Sequence, residues 1–224
     1  MSIRDWPEHQ RPREKLLAEG PARLTDAELI AVLFGSGCRG TSAVELGGQL
    51  LRHFGSLRGL MTADRGRCSS TPGLGTRRYG LLQAALELSR RQYHQEISAG
   101  PALESPAATR NFLVSRLRDL PYELFCCLYL DNRHRLIAFQ ELFRGTIDGA
   151  SVHPREVVRE ALCRNAAAVI LAHNHPSGVA EPSQADELIT LRLKEALALV
   201  DIRVLDHLIV GDSRCASFAE RGLL

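Results

Sequence analysis

No C-x-x-C pair occurs among the six cysteines, at 38, 68, 126, 127, 163 and 215, and only Cys126 and Cys127 are neighbours. A structural zinc knuckle and a thioredoxin-type redox motif are therefore excluded. No apolar run approaches the roughly 20 residues that cross a bilayer; the stretch Ala166 to Ala172 stops at His173. The opening MSIRDWPEHQRPREK has no apolar core of the kind a secretory signal carries. A soluble protein of the reducing cytoplasm, with no membrane partner, is the expectation. A repeat of fixed period is also missing. So is a large excess of one charge, since 28 Lys and Arg stand against 26 Asp and Glu, a net of +2. Total charge announces no nucleic-acid partner, so such a partner has to be argued locally.

What is present is ordinary globular composition: 224 residues, 45% apolar, 24% charged, with 18 Gly and 10 Pro. Disorder, collagen and low-complexity classes are excluded, and one large or two small domains are expected. Charge is unevenly spread. Residues 1–100 hold 14 Lys and Arg against 10 Asp and Glu (+4), whereas 101–224 hold 14 against 16 (−2). Within 52–91, eight arginines face only Asp64 and Glu87, a local net of +6. That is a basic patch.

The first half reads as short helices. Thr25 with Glu28 forms a capping box ahead of Leu29, Ile30, Val32 and Leu33. A second helix fits Ser42 to Phe54, and a long one fits Thr76 to Tyr93, with Leu81, Leu82, Ala85, Leu86 and Leu88 on one side. Between them lies Thr71-Pro72-Gly73-Leu74-Gly75. Two glycines around one apolar residue, followed at once by a helix, suit a tight turn that presents backbone N–H groups to phosphate. The arrangement resembles the helix-hairpin-helix DNA-binding motif, which implies DNA contacts at Gly73 and Gly75 with charge from Arg77 and Arg78. The plainer alternative is a turn followed by a solvated arginine face.

Breaker residues from Ser98-Ala99-Gly100-Pro101 to Ser105-Pro106 place a domain boundary between a helical domain, 1–100, and a second domain, 101–224. Beyond it the pattern predicts a helix (Ala107 to Leu117) and two strands (Glu123 to Asp131, Arg135 to Phe143) joined at Asn132. A helix (Pro154 to Cys163), a buried strand (Ala167 to Ala172), a long helix (Ser183 to Leu199), a strand (Ile202 to Val210) and a short closing strand follow. The class is α/β (α+β), a mixed sheet layered with helices.

The segment His173-Asn174-His175-Pro176-Ser177-Gly178 to Ser183 and Asp186 opens where a buried strand ends and closes in the first turn of a helix. Two histidines at i and i+2 converge if the chain bends at a strand end, and an aspartate on the next helix closes the triangle. Three ligands leave one position open. On a tetrahedral zinc that is the pattern of a catalytic site, where bound water becomes a usable nucleophile near pH 7. The bland alternative is a polar loop beside an aspartate favoured by the helix dipole.

The spacing H-x-H-x7-S-x2-D, filled by His173, His175, Ser183 and Asp186, is similar to the metal motif of the JAMM metalloproteases of the MPN fold. With Arg144-Gly145-Thr146, Val152-His153-Pro154-Arg155-Glu156 and Leu205-Asp206-His207 in this order, the chain resembles bacterial RadC proteins over essentially its whole length. The resemblance implies an MPN/JAMM domain of the cytidine deaminase layer type, with zinc held by His173, His175 and Asp186. It also implies Ser183 as oxyanion donor and Glu141 as catalytic glutamate, with Glu156 and Glu160 as competitors for that role. One departure is Asn174, where JAMM peptidases that cut ubiquitin-like tails carry Ser or Thr. His153 and His207 read as polar residues bonded in a loop or at a strand edge.

Zinc hydrolysis of an amide in an unspecified peptide or protein, in a DNA-repair or DNA-processing context, is the leading expectation. The rival is a non-catalytic DNA-binding protein with a structural or vestigial metal. A zinc deaminase lacks support because H-x-E with P-C-x-x-C is absent. A two-metal nuclease ranks below amide hydrolysis because only one metal group is visible.

Overall fold

In a computed structural model of the chain, residues 3–98, 100, 106–145, 152–212 and 214–224 are described. They separate into two compact units, Met1–Leu88 and Ser89–Leu224. The division falls inside a helix because Tyr93 and Ile97, near the end of that helix, pack into the core of the second unit. Most of the connector around Pro101 lies outside the described residues, as does Thr146.

The first unit contains α1 (Pro12–Glu19), α2 (Asp26–Phe34), α3 (Ala43–Phe54), α4 (Leu57–Met61), α5 (Arg65–Ser70) and the start of α6 (Thr76–Ser98). The sequence anticipates α2, α3 and α6. The other three span eight, five and six residues, too few turns for an apolar stripe to show. Thr25 Oγ1 accepts from Glu28 N at 3.3 Å while Glu28 Oε2 accepts from Thr25 N at 2.7 Å, and Ser42 with Glu45 repeats this box. The core collects Ile30, Phe34, Leu46, Leu50, Phe54, Leu60, Leu74 and Leu82.

Two apolar residues of these helices lie outside this core. Leu33 is 38% exposed because α2 buries the stripe Ile30, Ala31 and Phe34. Leu88 is 68% exposed because it lies nearly two turns beyond Leu82, the last α6 residue of that core.

The second unit runs α7 (Pro106–Leu117), β1 (Leu124–Leu130), β2 (Leu136–Arg144), α8 (Pro154–Cys163), β3 (Ala168–Asn174), α9 (Gln184–Ala198), β4 (Arg203–Val210) and β5 (Cys215–Ser217). The strands form one sheet in the order β2-β1-β3-β4-β5. All neighbours are antiparallel except β3 and β4, whose parallel pairing needs the crossover that α9 supplies. The helical first half and mixed-sheet second half agree with the sequence expectation.

Side-chain alternation sorts the sheet into two faces. Leu124, Cys126, Leu128, Ile170 and Ala172 pack with Phe112, Leu113 and Leu117 of α7. Phe125, Cys127, Tyr129, Val169 and Leu171 pack with Val157 and Ala161 of α8 and Leu193 and Leu197 of α9. Both β1 and β3 are buried at every residue, which is why they read as unbroken apolar runs. Two residues beyond Leu171, on the α9 face, stands His173. No helix among the described residues is long and apolar enough to cross a membrane.

Candidate metal centre

His173 is the penultimate residue of β3, and His175 follows just beyond the strand end. The chain turns there because Gly178 adopts φ +83° and its N–H donates to His175 O at 2.9 Å. The positive φ favours glycine there, and a Cβ on Gly178 would also lie 2.7 Å from the Asp212 carboxyl, which would have to shift. Asp186 is the third residue of α9, whose N-cap is Ser183. His173 is buried, Asp186 nearly so, and His175 half-buried.

The three side chains converge, each with a potential ligand atom within 4.8 Å of the others. His173 Nε2 and His175 Nε2 are 3.0 Å apart, His173 Nε2 and Asp186 Oδ1 3.2 Å, and His175 Nε2 and Asp186 Oδ2 3.5 Å. Ligands at ~2.05 Å around a tetrahedral ion are separated by roughly 3.3 Å, close to the two edges that meet at His173 Nε2, while the third contact reaches the other oxygen of the Asp186 carboxylate. Among the described residues, this is the group of His, Cys, Asp and Glu placed to hold a metal ion.

Hydrogen bonds behind the triangle fix which atoms face inward. Asp186 Oδ2 accepts from both Ser183 N and Ser183 Oγ at 2.7 Å, which leaves Oδ1 turned towards His173. His175 Nδ1 lies 2.7 Å from Val179 O, which only accepts, so the ring proton sits on Nδ1 and the Nε2 lone pair points inward. Burial would push the Asp186 carboxyl pKa up, but hydrogen bonding to His173 and His175 outweighs it and holds the group well below the usual carboxylate range. The same contact to Asp186, followed by burial acting in the opposite sense and by Val179 O, gives a net rise in the pKa of His175. A cation at this point would satisfy all three acceptors together.

The expected catalytic glutamate is not brought to this group. Strict alternation would put Glu141 on the face of Phe143, but a bulge intervenes: Phe143 pairs with Phe125, Glu141 pairs with Cys126, and Leu142 is skipped. Cys126 belongs to the α7 face, so Glu141 stands exposed on the side of the sheet opposite His173. Glu156, in the first turn of α8, is 2.7 Å from Arg159, and Glu160 is paired with Arg164.

Sequence reasoning missed Glu123, the residue before β1. Phe125, two residues after it, pairs with His173 in the antiparallel β1–β3 ladder, which places Glu123 at the end of the sheet where His175 follows β3. It is half-buried, and its charge is one of the causes that raise the His175 pKa. The peptide groups on both sides of it are held by Asn174, whose amide donates to Tyr122 O and accepts from Leu124 N, each at 2.9 Å. The only sequence signal is a carboxylate at the edge of a buried run, and the β1–β3 pairing is needed to interpret it.

His207 is neither in a loop nor at a strand edge. It is fully buried within β4, with Nε2 2.8 Å from His173 Nδ1 and Nδ1 2.6 Å from Thr190 Oγ1. Burial first, then the neighbouring His173, keeps its pKa well below the ordinary imidazole value. His153 meets the edge of Phe143 at 5.9 Å and lies outside the ligand group.

In the first unit, Leu74 is wholly buried and Gly73 has φ +81°. A Cβ on Gly73 would lie 2.6 Å from Leu46 Cδ1, so the hairpin requires this glycine. Gly75 and Arg77 are exposed. Arg78 is turned inward: its guanidinium donates to the carbonyls of Gly73, Ser36 and Gly37, each at 2.6 Å, and lies over Phe34 at 5.3 Å. That side chain ties two loops together.

A mixed sheet between helices with an H-x-H…S-x-x-D group at a strand end defines a JAMM-type domain. Residues 103–223 match the profile described as RadC-like JAB domain, and residues 3–80 match the one described as UPF0758 N-terminal. The chain belongs to the RadC-like JAB domain family. It is 63% identical to a UPF0758 protein of Nitrosococcus oceani and 64% identical to one of Thioalkalivibrio sulfidiphilus. A third, from Halorhodospira halophila, is 59% identical; in all three cases the match covers 100% of both chains.

Proposed function

We propose that this chain is a zinc-dependent hydrolase of amide bonds. The observation that carries the reading is the convergence of His173 Nε2, His175 Nε2 and the Asp186 carboxylate, with the opposite side of each group occupied by a hydrogen-bond partner. Two imidazoles and a carboxylate are a mixed N/O set that suits zinc, and three protein ligands leave a coordination position open. When bound, zinc supplies a Lewis acid that activates water near neutral pH and polarises a carbonyl.

The chain's own residues do the rest. Glu123, near enough to His175 for its charge to act there, takes the proton of the attacking water and passes it to the leaving amine nitrogen. Ser183 orients Asp186. Because Ser183 N also holds Asp186 Oδ2, the hydroxyl can turn its proton towards an oxyanion without releasing the carboxylate. Asn174 keeps Glu123 in place, which gives a structural reason for an amide at that position.

The first unit is proposed to contact nucleic-acid phosphate through Arg77 and the exposed backbone at Gly75, the favouring observation being that both stand outside the core. Arg78 is left out of that surface because its donors serve three carbonyls.

The test is metal analysis of the purified chain together with hydrolysis of a peptide library by zinc-loaded protein. One zinc per chain is expected, absent in His173→Ala and Asp186→Ala. Cleavage should be present in the wild type and absent in Glu123→Gln. A wild type that takes up no zinc on titration overturns the reading.

A further inference from the structure

We propose that His207 is a positioning residue: Thr190 sets its tautomer, and through that tautomer it commits the Nε2 lone pair of His173 to the metal. The inference rests on reading His173, His175 and Asp186 as a metal site, and it concerns residues outside that ligand set. Protons can be counted along one buried line. Asp186 O is a carbonyl and only accepts, so the 2.5 Å contact from Thr190 Oγ1 uses the single hydroxyl proton of Thr190. Oγ1 therefore has only lone pairs left for His207 Nδ1 at 2.6 Å, and that nitrogen must carry a proton.

A neutral His207 protonated on Nδ1 presents a lone pair at Nε2, so the 2.8 Å contact to His173 Nδ1 is a bond that His173 donates. His173 is then protonated on Nδ1 and bare on Nε2, the nitrogen that faces His175 and Asp186. With the opposite proton order, His173 would point an N–H into the ligand triangle. The line starts at the main chain of one ligand, Asp186, and ends on the side chain of another, so the α9 backbone and the β3 ligand are set together. Phe125 at 5.6 Å and Phe218 at 4.8 Å wall His207 in, and it has no exposed surface from which water could reset its protons.

The experiment uses full-length protein and zinc alone. Affinity is read by competition with a chromophoric chelator, and the tautomers of His173 and His207 are read from two-bond nitrogen–proton NMR correlations. Thr190→Val keeps the shape and removes the hydroxyl; Thr190→Ser restores it. The expected result is zinc binding weakened about 10–100-fold in Thr190→Val, as for other groups that orient metal-bound histidines. Thr190→Ser should bind like the wild type, and the wild type should show both histidines protonated on Nδ1. Wild-type affinity in Thr190→Val overturns the proposal while leaving the zinc site standing, whereas a wild type without zinc overturns both. Should Thr190→Val not fold, the wild-type spectrum decides: His207 protonated on Nε2 refutes the proton order.

Discussion

Asn174 grips the chain on both sides of Glu123, with its amide nitrogen on Tyr122 O and its amide oxygen on Leu124 N. Because Asn174 sits between His173 and His175, the segment that carries two of the candidate ligands also sets the position of the carboxylate. Asn174→Ala should therefore leave zinc content near one per chain and lower hydrolysis. It should also cost about 1–3 kcal/mol of stability for the amide left unbonded at Leu124. Metal analysis, turnover and urea unfolding of the same preparation check the three parts; unchanged turnover would separate Asn174 from Glu123.

Glu123→Gln and Glu141→Gln form a matched pair. An amide keeps the shape of Glu123 but cannot accept a proton, so hydrolysis should vanish with zinc and folding intact. Glu141, across the sheet, should tolerate the same change with wild-type rates. Ser183→Ala belongs between them, since losing one oxyanion donor typically costs on the order of 10²-fold to 10³-fold in rate. Full activity in Glu123→Gln together with loss in Glu141→Gln would reverse the assignment.

The group that could hold a metal was legible because its signal is local. His173, His175 and Asp186 lie within one strand end, one turn and one helix start, and Ser183 caps that helix next door. Strands and long helices were legible for a similar reason, since buried runs such as Leu124 to Leu130 announce themselves. Glu123 was not, because its place depends on the pairing of β1 with β3, which brings Phe125 opposite His173. Glu141 was named from the resemblance, and the residues around it gave no sign that one skipped position, Leu142, turns it to the face opposite His173. His207 looked ordinary because nothing in Leu205-Asp206-His207 shows that β4 lies parallel beside β3.

Removing zinc from the folded protein with a chelator should lower its resistance to unfolding, because an ion bound only by the native state stabilises that state by mass action. His173→Ala, lacking a ligand, should show the same unfolding curve with and without chelator. A wild-type curve indifferent to both zinc and chelator would refute tight binding.

Leu74 and Gly73 fix the hairpin of the first unit from opposite directions. Leu74→Ala empties a fully buried site and should cost about 2–5 kcal/mol. Gly73→Ala should also destabilise, since its φ of +81° is unfavourable for alanine and the new methyl would meet Leu46 at 2.6 Å. Chemical denaturation followed by a probe confined to the first unit measures both. A neutral Gly73→Ala would show that the turn relaxes.

Arg77 and Arg78 are neighbours in sequence, but the structure gives them different work, and charge reversal should separate them. Arg77 is exposed at the start of α6. Arg77→Glu should preserve folding, weaken DNA binding, and reduce the slope of log affinity against log salt by about 0.9 for each phosphate it no longer neutralises. Arg78→Glu removes the donors that hold Ser36, Gly37 and Gly73, and brings a carboxylate up to their carbonyl oxygens. It should first unfold the first unit, so any weakening of DNA binding there reports the scaffold rather than a phosphate partner. Arg77→Glu is consequently the informative variant, measured by fluorescence anisotropy on duplex DNA over a range of salt. If its affinity and salt slope equal those of the wild type, the arginines of 52–91 form a solvated face and the nucleic-acid reading falls.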